Sequence, residues 1–135
     1  MFRFIRNFTY YIFLIAVSFT FSILTNAQTN RPQDVVGLEK TIRFRRGANS
    51  ATFSGQIKLG TTHWFHVRAR EGQEMAVVLK TGNKTSFTIY GQQSGILEGA
   101  DGVRRTLVEL PESGDFLIEI GTDATANYTL EVTIH

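Results

Sequence analysis

Two histidines three residues apart, His63 and His66, flank Trp64, and Arg68 follows two positions on. These types could ligate a metal, act as a base or stack on a sugar. A metal needs converging ligands, and residues i and i+3 of a strand point to opposite faces. The chain has no cysteine, and no carboxylate falls at ligand spacing. No metal or other cofactor is expected. Nucleophilic hydrolysis needs a serine held against a base and an orienting carboxylate. The chain has no G-x-S-x-G elbow, and Pro111-Glu112-Ser113-Gly114 lies between two apolar runs as a turn does. We therefore expect a binding protein and not an enzyme.

Binding candidates follow from residue type. Trp64 offers an apolar face with a polar edge, a platform for a sugar ring or a side chain that packs under a neighbouring loop. Arg104 and Arg105 follow a glycine-rich stretch, Gly91 to Gly102. An arginine pair leading off a loop suits a carboxylate-rich cleft. Lys84, Ser113 and Asp115, in two further loops, form a second candidate contact. Lys40, Arg43, Arg45, Arg46 and Lys58 crowd the first two strands, either attracting an anionic partner or guarding a sheet edge.

What must position these residues is a set of strands. Polar and apolar residues alternate through Thr41–Arg45, Thr52–Leu59 and His63–Arg70. The alternation continues at Met75, Val77 and Leu79, at Phe87 and Ile89, and at Val108 and Leu110. It ends with Phe116, Ile118 and Ile120, then Tyr128, Leu130, Val132 and Ile134. Turn residues separate the runs, and no helical stripe follows the first 27 residues. The fold class is all-β, an antiparallel jelly-roll-like sandwich of about eight strands. Strict alternation of direction would put Gly47–Ser50, Arg70–Gly72, Gly91–Gly102 and Gly121–Asn127 at one end. Gly60–Thr62, Thr81–Lys84 and Pro111–Gly114 would lie at the other.

The first residues belong to a different element. Arg3 and Arg6 precede an apolar run of 15 residues, Tyr10 to Leu24, and Thr25-Asn26-Ala27 supplies small residues before Gln28. This is the anatomy of a secretory signal peptide over residues 1–27, cleaved between Ala27 and Gln28 by a helical leader's usual route. Residues 28–38 are polar and contain Pro32 and Gly37, so they are expected as a flexible tail before a domain at 39–135. From Gln28 onward there are 12 Lys plus Arg and 12 Asp plus Glu. A neutral mature chain gives no reason to expect nucleic acid as a partner, and none to expect a membrane once the leader is gone.

Several stretches resemble a known group: "RFRRGANSATFSGQIK", "HVRAREGQEMAVVL", "LPESGDFLIEI" and "ANYTLEVTI". They are similar to secreted bacterial domains of the pre-peptidase C-terminal type and, within that group, to periplasmic inhibitors of g-type lysozyme. The resemblance runs from about Glu39 to His135. It implies a non-catalytic, exported protein, periplasmic or secreted and monomeric, whose partner is a protein such as a lysozyme. The alternative it implies is a free-standing module that binds cell-wall glycan or an envelope protein. The inhibitors carry an arginine-rich insertion between their last two strands, where this chain has Gly121-Thr122-Asp123-Ala124-Thr125-Ala126-Asn127 without a basic residue.

The leader makes one prediction at this level. Mass spectrometry of secreted material should show a chain that starts at Gln28. Recovery of the intact chain in the membrane fraction would contradict it.

Overall fold

The computed structural model describes residues 34–135. The leader and the Ala27–Gln28 junction lie outside the described residues, as does the first part of the expected tail. Nine strands follow in order: β1 (Val35–Thr41), β2 (Ser50–Ile57), β3 (Thr61–Ala69), β4 (Glu74–Lys80), β5 (Thr85–Gly91), β6 (Gly95–Ile96), β7 (Arg105–Glu109), β8 (Gly114–Thr122) and β9 (Ala126–Ile134). They form two sheets with the orders β1-β3-β8-β5-β6 and β2-β9-β4-β7. From β2 on, the chain places its strands in the order of a jelly roll, 2-9-4-7 against 3-8-5-6. The expected architecture is present.

β1 is the addition, and it corrects two expectations. It pairs with β3 in parallel, from Val35 opposite Thr61 to Thr41 opposite His66. Val35–Leu38, expected within the flexible tail, therefore make up its first half. A parallel neighbour leaves no hairpin signal in the sequence, because the chain crosses to the other sheet for β2 before returning as β3. The register slips between Val36 and Leu38. Gly37 sits at that slip, where a Cβ would lie 3.1 Å from the Thr61 Cβ.

Period-two patterning decides what faces inward. Along β3, His63, Phe65, Val67 and Ala69 are buried, and Trp64, His66 and Arg68 take the opposite face. Phe65, Met75, Val77, Ile89, Phe116, Ile118, Ile120, Leu130 and Val132 are all sealed between the sheets. The Phe65 ring lies 5.2 Å from Phe53 and 6.5 Å from Tyr128, the latter edge-on at 87°. Such contacts add about 0.5–1.5 kcal/mol each to the area term.

The loops sort differently from a simple alternation. β5 ends level with the start of β8, the chain turns at Gln92–Ser94, and segment 95–104 then runs back along the sandwich before β7 begins. That return adds one traverse and reverses every later loop. Leu110–Ser113 therefore joins Arg45–Asn49 and Arg70–Gln73 at one end. Asp123–Thr125 joins Lys58–Gly60 and Thr81–Lys84 at the other. Hydrogen bonds fix both groupings: Glu71 N donates to Ser113 Oγ at 2.8 Å, and Asp123 N donates to the Lys84 carbonyl at 2.9 Å.

Truncation distinguishes the two faces of β3. Phe65→Ala should lower the unfolding free energy by about 3–5 kcal/mol, as for other buried aromatics. Trp64→Ala should cost clearly less. Chemical denaturation of both variants checks this, and equal losses would place Trp64 in the core.

Candidate functional site

The six candidate binding residues do not gather on one surface. Arg104, Arg105 and Lys84 lie toward one end of the sandwich, and Ser113 and Asp115 lie at the other. The Arg104 carbonyl accepts a bond from Leu79 N at 2.8 Å, and Arg105 begins β7 opposite Val78. Lys84 is exposed in the β4–β5 turn. Ser113 is tied to its neighbours, since its hydroxyl accepts from Glu71 N and so clamps two turns together. Asp115 is exposed and stands across from Arg68 on β3. Trp64 is half-buried on the outer face of the larger sheet, between Glu39 of β1 and Glu119 of β8. Its indole N–H is enclosed and has no hydrogen-bond partner among the described residues.

The two histidines do face opposite ways. His66 Nε2 is 2.8 Å from the Glu39 carboxylate on the surface. His63 is not a surface residue: only 7% of it is exposed, and its Nδ1 lies 2.7 Å from the Tyr128 hydroxyl. Its parity with Phe65 and Val67 was the signal that it points inward. Burial pushes the His63 pKa below its ordinary value, and burial raises that of Tyr128 to about 12. The pair is therefore a neutral contact within the core. Gly55 stands opposite Tyr128 on β2, where a Cβ would touch the hydroxyl at 3.4 Å, an ordinary contact distance. Tyr90, on the outer face, is raised by burial and then by the charges of Glu119 and Asp101.

What the fold does bring together is arginine. Ile42 N donates to the His66 carbonyl at 2.7 Å, so the chain leaving β1 continues beside the end of β3. Arg43 and Arg45 alternate there with Phe44, which packs against the core, and so they point outward. Arg46 occupies the turn closed by Ala48 N and the Arg45 carbonyl, where Gly47 takes a φ of 80°. Arg68 and Arg70 complete the end of β3. All five are exposed. Among the described residues, the ion pairs are His66–Glu39 and Lys80–Glu131, and neither involves an arginine.

Two depressions open among these side chains. One of about 400 Å³ is lined by Arg43, Arg45, Ser50, Ala51, Thr52 and Phe53. The other, of about 420 Å³, is lined by Arg68, Ala69, Arg70, Gln73, Ser113 and Gly114. Lys40 Nζ stands 5.9 Å from the centre of the Phe53 ring. Guanidinium groups over a partly apolar floor suit planar anionic groups, with bidentate contact to carboxylates. Among the described residues no group of three His, Cys, Asp or Glu side chains could hold a metal.

The fold is shared with lysozyme inhibitors. Aeromonas hydrophila PliG, a periplasmic lysozyme inhibitor of g-type lysozyme, superposes with a TM-score of 0.62 at 22% identity, over 73% of this chain and 97% of that one. Salmonella Typhimurium PliG gives 0.62 at 22% identity, over 74% and 100%. A mutant of the Escherichia coli protein, PliG-Ec, gives 0.61 at 20% identity, over 74% and 100%. No protein-family model matches the chain, and no curated protein matches it in sequence.

The buried histidine makes stability depend on pH. The unfolded chain takes up the His63 proton near pH 6.5 and the folded chain only at lower pH. Its contribution is therefore present above pH 6.5 and is lost as the pH falls below that value. Unfolding free energies measured between pH 7.5 and 5 should decline, and His63→Gln should flatten that part of the slope. An unchanged slope in the variant would show that His63 is not the group responsible.

Proposed function

We propose that this chain is an exported, non-catalytic binding protein that blocks a peptidoglycan-cleaving enzyme, specifically a g-type lysozyme. The observation that carries the reading is the superposition on PliG proteins along 97–100% of their length. Those proteins are periplasmic, which supports the same compartment here and agrees with the leader expected over residues 1–27. The lysozyme half of the sequence resemblance gains from the shared fold. The pre-peptidase half rests on its turn and strand motifs alone.

The contact is assigned to the arginine-bearing end: Arg43, Arg45 and Arg46, with Arg68 and Arg70 beside them. A glycosidase cleft presents a pair of carboxyl groups, and exposed guanidinium groups that have no ion-pair partner among the described residues lose little by turning to them. The Gly121–Asn127 connection carries no basic residue, so the charge must come from elsewhere in the fold. Arg104, Arg105 and Lys84, at the opposite end, are the second candidate contact.

Titration of the mature chain into g-, c- and i-type lysozymes, read by clearing of a cell-wall suspension, tests both parts. Inhibition of the g-type enzyme is expected. Combined Arg43→Ala, Arg45→Ala and Arg46→Ala should weaken it by about 2–5 kcal/mol if the groups are buried in the complex. Arg104→Ala with Arg105→Ala should leave it close to wild type. The reverse pattern would move the contact to the other end, and failure against all three enzymes would overturn the reading.

A further inference from the structure

β7 is an open edge of the smaller sheet, and its own sequence completes it. The strand reads Arg105-Thr106-Leu107-Val108-Glu109 and, among the described residues, pairs on one side only, with β4. Glu74 of β4 exchanges both backbone bonds with His135, and Leu79 N donates to the Arg104 carbonyl. Alternation along the ladder therefore turns Met75, Val77 and Leu79 toward β7 and engages Arg104, Thr106 and Val108. The N–H and C=O groups of Arg105, Leu107 and Glu109 face the other way. No backbone or side-chain partner meets them among the described residues. A depression of about 390 Å³ lies between Leu97–Glu98 and Leu107–Glu109 at this edge.

The other edges are blunted. β1 carries its register slip at Val36/Leu38, β6 has two residues, and β2 runs beside Arg43, Arg45 and Lys40. β7 is regular and carries one charge of each sign. Between them stands Leu107, 64% exposed. A regular, unprotected edge is the usual template for strand addition.

We propose that a second copy of this chain pairs antiparallel with β7 about a two-fold axis at Leu107. That register sets Leu107 against its own copy, Arg105 against the copy's Glu109, and Glu109 against the copy's Arg105. The three residues with free backbone groups are the three brought together, and they exchange six hydrogen bonds across the axis. Their side chains share the outer face, so the two leucines pack between two Arg–Glu pairs. A two-residue slip loses this match. In one direction it sets Pro111, which has no N–H, against Arg105 of the copy. In the other it sets Arg105 against the copy's Leu107. A two-fold contact must be self-complementary, and this strand is.

The pairing replaces the expectation of a monomer and gives Arg105 a partner that the lysozyme reading does not. It stands independently of that reading. One pair of five-residue edges buries less than the ~1,600 Å² of a standard interface, so the dimer is weak and concentration-dependent. The arginine-bearing connection lies on the opposite flank and stays free in each copy.

Sedimentation equilibrium of the mature chain over a range of concentrations tests the proposal. The expected average mass rises from one protomer toward two. Arg105→Glu places like charges at both ends of the contact and should hold the chain at one protomer, with an unchanged melting temperature. Arg105→Glu combined with Glu109→Arg restores complementarity in the same register and should bring the dimer back. A wild type that stays monomeric at sub-millimolar concentration overturns the proposal. So does a dimer that survives the single reversal, or a double swap that fails to restore association.

Discussion

The fold depends on a contact between the two sheets, where Phe65 of β3 meets Phe53 of β2 and Tyr128 of β9. The chain has no cysteine, so no covalent link holds the sheets together, and about 100 described residues must supply one continuous apolar layer. Burying a large aliphatic or aromatic side chain contributes about 1.5–3 kcal/mol. Phe65, Val67, Phe116, Ile118, Met75, Val77, Leu130 and Val132 do this from four strands. The titratable intrusion among the described residues is neutral: the Tyr128 hydroxyl and His63 Nδ1 satisfy each other at 2.7 Å, and burial discourages charge on either.

This core frees the surface for contacts. Every strand presents its other face or its ends to solvent, and the turns at one end need only short clamps to hold their shape. Ser113 is such a clamp, through Glu71 N, and Glu112 is another, accepting from Gln93 N and Ser94 N at 3.1 Å. Among the described residues, the arginines beside them have no ion-pair partner. A flank of guanidinium groups on a rigid sandwich is a surface that can meet carboxylates with little reordering of the backbone.

Much of the fold was legible in the sequence, because alternation fixes which face of a strand is buried. His63–Ala69 shows this best, with every odd position inward, His63 included. Three things were not legible. β1 pairs in parallel with a strand it does not follow directly, and parallel neighbours leave no turn signature. Segment 95–104 looked like a loop, yet it traverses the sandwich and so exchanges the ends of all later turns. The gathering of Arg43, Arg45 and Arg46 with Arg68 and Arg70 depends on that parallel pairing, so their types were visible but their proximity was not. The candidate set Arg104, Arg105, Lys84, Ser113, Asp115 and Trp64 was chosen by residue type and falls on both ends and one face.

The central claim is that a lysozyme is met by the arginine-bearing end of this sandwich. The most direct measurement is a backbone-amide NMR titration of the isotope-labelled mature chain with unlabelled g-type lysozyme. The account predicts that perturbed signals concentrate at Arg43–Ser50 and Arg68–Gln73, with the Asp123–Thr125 and Thr81–Lys84 turns unchanged. Perturbation centred on those two turns, or no perturbation at all, would contradict it.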